Sequence, residues 1–99
     1  MRVPVKKYTV VGKSMEPSLV EGNRVIASHL AYAISRPRVG HIVIAKHPVS
    51  GIPLIKRVSR VQKERYFLEG DNARSSSDSR SFGWVTRDLI LGKVLYVYS

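Results

Sequence analysis

Ninety-nine residues make one small domain spanning 1–99, and a chain of this size buries about 60–65% of its unfolded surface, so its core is modest. There is no cysteine, which excludes disulfides and thiolate metal sites. The net charge of +10, from 17 Lys and Arg against 7 Asp and Glu, suits an anionic partner such as a membrane surface, a nucleic acid or an acidic peptide, or else a plainly solvated basic surface.

In chain order the residues read as strands and turns. Val3 to Val11 is β-branched and aromatic, a strand; Met15 to Gly22, with Pro17 inside it, is a turn or a single helical turn. Arg24 to Ser28 is a second strand. His29 to Ile34 is short and apolar on one side, Arg36-Pro37-Arg38-Val39-Gly40 breaks the chain, and His41 to Lys46 is a third strand. Pro48 to Pro53 reads as a hairpin loop. Leu54 to Gln62 and Arg65 to Glu69 follow as paired strands joined through Lys63-Glu64. Asp71 to Gly83 is a polar, serine-rich loop ordered by its turn residues and by Phe82 and Trp84, and Leu89 to Tyr98 is a last strand interrupted at Gly92. Short strands with turns every eight to twelve residues predict a sandwich or barrel with little helix.

No window holds the roughly 18 consecutive apolar residues of a membrane span. The start carries Arg2, Lys6 and Lys7 without an apolar stretch, unlike a signal peptide. The expectation is a chain that is cytoplasmic or peripheral to a membrane, with the earlier removal of an anchor left open.

Three segments carry candidate chemistry. In Gly12-Lys13-Ser14-Met15-Glu16-Pro17 a serine sits where strand gives way to turn. A serine hydroxyl attacks a carbonyl only when a base takes its proton and a backbone N–H stands near the developing oxyanion; the same serine also reads as an ordinary turn residue capping Met15 or Glu16. Lys56 lies in the apolar strand Leu54-Ile55-Lys56-Arg57-Val58. Alternation puts Leu54, Lys56 and Val58 on one face and Ile55, Arg57 and Ser59 on the other. Apolar neighbours favour the neutral amine, and a lysine serves as a general base when its pKa falls to roughly 7–8; the alternative is a surface lysine whose ammonium reaches water. In Gly70-Asp71-Asn72 followed by Ser76, Asp78, Ser79 and Arg80, ion pairs can pin a loop under Ser14 and Lys56, and Ser76 or Ser79 can orient the lysine amine; alternatively the loop is held by its own Asx and Ser turns.

Other constellations fail. His29, His41 and His47 lack metal-site spacing, so no metal and no cofactor are expected. The glycines form no phosphate-binding pattern. The five tyrosines read as strand core or edge residues, which disfavours nucleic acid as a partner.

These three boxes, in this order, resemble the catalytic domain of type I signal peptidases, Ser/Lys endopeptidases of the S26 kind, over nearly the whole chain. The segments Arg36-Pro37-Arg38-Val39-Gly40, Ala45-Lys46-His47-Pro48 and Ser79-Arg80-Ser81-Phe82-Gly83 are most similar to the short, anchorless branch known as nickel-type superoxide dismutase maturation proteases. The resemblance implies a small, mostly-β, signal-peptidase-like and LexA-like catalytic fold. It implies Ser14 as nucleophile, Lys56 as base, Ser76 as hydrogen-bond partner of the lysine amine, and Asp78 with Arg80 as a structural ion pair near Arg57. The oxyanion hole falls to Ser14 and to Gly12, where some relatives carry serine. Thr9 to Lys13 and Pro53 to Ile55 line the cleft, with Val11, Lys13, Met15, Leu54 and Ile55 binding an extended substrate by strand addition. Gly22-Asn23 and Gly40-His41 stand where the family has Gly-Asp, implying altered turns and retained activity.

The implied partner is a precursor protein or leader peptide, with peripheral contact to an anionic membrane. The rivals are a signal peptidase I core acting on secretory leaders, a self-cleaving repressor-type (S24) domain, and a non-catalytic basic β-domain.

Overall fold

The computed structural model describes residues 4–75 and 77–99. Seven antiparallel strands form one sheet: β1 (Val5–Thr9), β2 (Arg24–Ser28), β3 (Ile42–Lys46), β4 (Pro53–Gln62), β5 (Arg65–Glu69), β6 (Val85–Thr86) and β7 (Ile90–Val97). Their spatial order is β1-β2-β7-β3-β4-β5-β6, so β7 is inserted between β2 and β3, and β1 and β6 are the edges. The predicted mostly-β class holds. Among the described residues the architecture is a single sheet with β1 and β6 at its edges, bent by register shifts at Ile26/Ala27, Ile44/Ala45 and Val58/Arg60; an extra residue in one strand bends it and increases its twist.

The centre of the sheet explains its most apolar strand. β3 is sandwiched between β7 and β4, and Val43, Ile44 and Ala45 are all buried. A strand covered on both faces reads as a continuous apolar run. One core cluster joins Tyr32, Val43, Ala45, Val58, Tyr66, Leu68, Val85 and Ile90. A second joins Val10, Met15, Leu19 and Val25 with Tyr8, Ile42, Ile55 and Val94 packed against it.

Three local features differ from expectation. β7 runs unbroken through Gly92, where a Cβ would come within 2.6 Å of the Ser28 carbonyl oxygen; this glycine permits close packing of β2 against β7. The stretch after Gly70 contains a 3-10 turn, Ala73–Ser75, and a one-turn helix α1, Ser79–Phe82, capped by the Asp78 side chain and ended at Gly83 with φ +85°. β6, two residues long, carries too little pattern to be read from sequence. Its neighbour Trp84 meets Phe67 edge-on, with ring centroids 5.2 Å apart, and the Arg60 guanidinium covers both rings.

Candidate active site

β1 leads into a turn fixed from several sides. Met15 and Leu19 are buried in the second core cluster, so the turn is anchored from beneath by apolar side chains. Glu16 N–H donates to the Lys13 carbonyl (3.2 Å) and Leu19 N–H to the Met15 carbonyl (2.9 Å). Gly12 has φ +80° and open space where a Cβ would stand, a conformation that costs a non-glycine residue energy rather than room. Its N–H donates to the Glu21 carboxylate at 3.1 Å. Gly12 therefore shapes the turn, and its amide is engaged away from the oxyanion-hole role expected for it. Among the described residues nothing accepts from the Ser14 N–H.

Ser14 and Lys56 line one cleft of about 470 Å3. Its walls are Tyr8 to Met15 on one side and Ile52 to Lys56 on the other, with Ile44 and Ser77 completing it. The cleft thus contains every expected binding residue: Val11, Lys13, Met15, Leu54 and Ile55. Val11 is largely exposed, whereas Met15 is core and offers only its edge.

Lys56 is 4% exposed and pairs across the strands with the fully buried Val43. Burial pulls the pKa of its amine below the ordinary lysine value. The Asp78 carboxylate opposes that shift and the Arg80 cation adds to it. A buried amine held toward its neutral form, in a cleft that also contains a serine, is the pair that general-base activation of a hydroxyl requires.

Two Arg–Asp pairs support this arrangement. Asp78, wholly buried, accepts from Gly70 N–H (2.8 Å), Arg80 N–H (3.0 Å) and the Arg80 guanidinium (2.5 Å), and Arg80 also faces Glu69 at 3.5 Å. Arg57 belongs to the other pair: its guanidinium grips Asp71 at 2.9 and 2.8 Å and reaches the Gly40 carbonyl at 2.8 Å. Ser18 adds a hydrogen bond to Asp71 at 2.5 Å. Asn72 then ties down the serine turn, its N–H on the Ser14 carbonyl (2.8 Å) and its side chain on the Lys13 carbonyl (3.1 Å). Asp71-Asn72 therefore joins the serine turn to the lysine strand. Sequence reasoning placed this box nearby and missed that role, as it missed Ser18, Ile44 and Ser77.

Ser76 lies outside the described residues. Ser79 Oγ accepts from Leu68 N–H at 2.8 Å, so it anchors the loop to β5. At the two departures from Gly-Asp the replacement side chains also accept from turn amides: Asn23 from Val20 N–H (2.8 Å), His41 Nδ1 from Arg38 N–H (3.2 Å). Among the described residues no three His, Cys, Asp or Glu side chains converge as a metal site, and no helix is long and apolar enough to cross a membrane.

Residues 1–59 and 58–99 match the family described as signal peptidase, peptidase S26. The chain belongs to this family. It is 32% identical to mitochondrial inner membrane protease subunit 1 of Xenopus tropicalis and of Homo sapiens, over 84% and 86% of its length. It is 23% identical to signal peptidase IB of Staphylococcus aureus strain Mu50 over 93% of its length and 76% of that protein's. The chain spans 62% and 64% of the two protease subunits it matches.

Proposed function

We propose that this S26 chain is a serine endopeptidase that uses Ser14 and Lys56 to remove an N-terminal leader from a precursor protein. The observation that carries this reading is a buried lysine, held toward its neutral amine, in the same cleft as a serine on an immobilised turn.

In the proposed reaction the neutral Lys56 amine takes the Ser14 hydroxyl proton as Oγ attacks the scissile carbonyl. The resulting oxyanion accepts from the Ser14 N–H. The Lys56 ammonium then protonates the departing amine, the C–N bond breaks, and an ester to Ser14 remains. Lys56, neutral again, deprotonates a water that hydrolyses the ester and restores Ser14. Lys13, Val11, Leu54 and Ile55 flank an extended substrate held by strand addition. Asp78, Arg80, Arg57 and Asp71 position the pair, and Ser76 is proposed as hydrogen-bond partner of the amine.

The precursor we assign is that of a nickel-type superoxide dismutase, on the resemblance carried by residues 36–40, 45–48 and 79–83. The second reading, a secretory leader, is favoured by the signal peptidase names among the relatives. The test incubates wild type and Ser14→Ala with a leader-bearing superoxide dismutase precursor and, separately, a secretory leader peptide, followed by mass spectrometry. A single cut by wild type alone supports the activity, and the substrate that is cut decides between the leaders. Cleavage by Ser14→Ala as fast as by wild type overturns the serine mechanism.

A further inference from the structure

The cleft that holds Ser14 and Lys56 is unbalanced in charge. Its lining includes two cations, Lys13 and Lys56, and no carboxylate. Lys56 is buried and held toward its neutral amine, so the exposed Lys13 supplies the cleft's lasting positive charge. A second hollow, at the β5–β6 edge, instead sets Glu64 and Asp88 among its guanidinium groups. The chain's other acidic side chains are placed elsewhere. Glu21 accepts from the Gly12 N–H, Asp71 is gripped by Arg57, and Asp78 and Glu69 face Arg80. Glu16 follows Ser14 in the turn but is not part of the cleft lining. Among the described residues no carboxylate pairs with the Lys13 ammonium. The Lys13 carbonyl accepts from the Glu16 N–H at 3.2 Å and from the Asn72 side chain at 3.1 Å. The root of this side chain is therefore fixed immediately before Ser14.

We propose that Lys13 makes the cleft select substrates with an acidic side chain beside the scissile bond; this selection rests on the peptidase reading above. A lysine ammonium is a compact point charge on a four-carbon stem, so it acts on groups near its root. That root adjoins Ser14, and the charge it meets belongs to a residue flanking the cut. An extended substrate points alternate side chains to opposite sides. One set meets the apolar wall of Leu54 and Ile55, and the other faces the mouth, where Lys13 is exposed. A carboxylate on the mouth side gains from Lys13. A carboxylate directed inward would instead stabilise the Lys56 ammonium and suppress the base. The geometry therefore favours one acidic position with apolar neighbours. A basic residue at that position meets like charge and is rejected.

The test uses fluorescein-labelled peptides spanning the leader junctions of the two precursors named above. Asp, its neutral isostere Asn, or Lys is placed in turn at each of the two positions before and the two after the cut. Fluorescence anisotropy with Ser14→Ala reads binding apart from catalysis, and kcat/KM with the intact serine reads cleavage. At one position Asp should be preferred over Asn by about fivefold, and over Lys by more, in both readouts. Salt at about 0.5 M should compress that preference. Lys13→Glu should reverse the order to favour Lys, Lys13→Gln should erase it, and Lys13→Arg should keep it. Each comparison is between peptides on one protein, so a change in overall activity does not alter it. Equal treatment of Asp and Asn at every position, a preference that survives Lys13→Gln, or no binding of any peptide overturns the proposal. Cleavage without charge preference sinks the proposal and leaves the peptidase reading standing. Charge preference in binding, with no cleavage by wild type, sinks the catalytic reading alone.

Discussion

Two hollows in the molecule invite comparison. The larger, about 680 Å3, lies at the β5–β6 edge between Tyr32, Arg36, Arg65, Arg87 and Asp88; the smaller, about 470 Å3, contains Ser14 and Lys56. The larger has more room and less reactive chemistry. Its cations are guanidinium groups, which do not deprotonate at ordinary pH, and Arg87 is already engaged with the Ile90 and Tyr32 carbonyls at 2.7 and 3.1 Å. Two buried phenols line it, Tyr32 and Tyr66; Tyr32 has its pKa pushed up by burial to about 12 and is no better as a base. The smaller hollow has a desolvated amine and a hydroxyl. Protonation chemistry, rather than volume, distinguishes the candidate site.

The sharpest way to break this contrast is to remove the reactive groups on each side. Ser14→Ala or Lys56→Ala should lower peptide cleavage by about four orders of magnitude, whereas Arg36→Ala should leave it within about twofold; steady-state kinetics on one leader peptide check both. Asp78→Ala, which deprives Gly70 and Arg80 of a buried acceptor, should cost about 2–4 kcal/mol and lower the melting temperature by about 10 °C or more. Asp88→Ala at the larger hollow should cost under about 1 kcal/mol. Asn72→Ala should leave the fold intact and lower kcat by roughly 10–100-fold with little change in KM, because it removes the side-chain hydrogen bond to the Lys13 carbonyl, leaves the backbone N–H on the Ser14 carbonyl alone to hold the turn, and lets Ser14 drift.

The pH dependence carries a sign. Burial lowers the Lys56 pKa, so kcat/KM should rise with pH through a value below that of ordinary lysine as the neutral amine becomes populated. Arg80→Gln removes a neighbouring cation and leaves Asp78 less compensated, and both changes favour the ammonium. The rise should therefore move to higher pH, as a pH–rate profile would show. A smaller effect than at Asp78 is expected at Gly12, where φ is +80°: Gly12→Ala should cost about 1–2 kcal/mol in thermal unfolding.

Much of this was legible in the chain. The alternation Leu54-Lys56-Val58 foretold a lysine with apolar neighbours, and β2, β4 and β5 fell within a residue of their predicted bounds. β6 was hidden because a two-residue strand has no period to detect. The insertion of β7 between β2 and β3 was hidden because non-local pairing leaves no mark on local pattern. In the site, the Asp78–Arg80 pair was readable from a spacing of two. The Arg57–Asp71–Ser18 clamp was not, because its members lie 14 and 53 residues apart and meet only when the sheet curls the serine turn over β4.

The account depends most on a lysine kept neutral by burial, and that is directly measurable. The chain has seven lysines, whose side-chain nitrogens can be followed by NMR during a pH titration of wild type and Lys56→Met. The account predicts one resonance that titrates well below the other six and disappears in Lys56→Met. Seven resonances titrating together at the ordinary lysine value would contradict it.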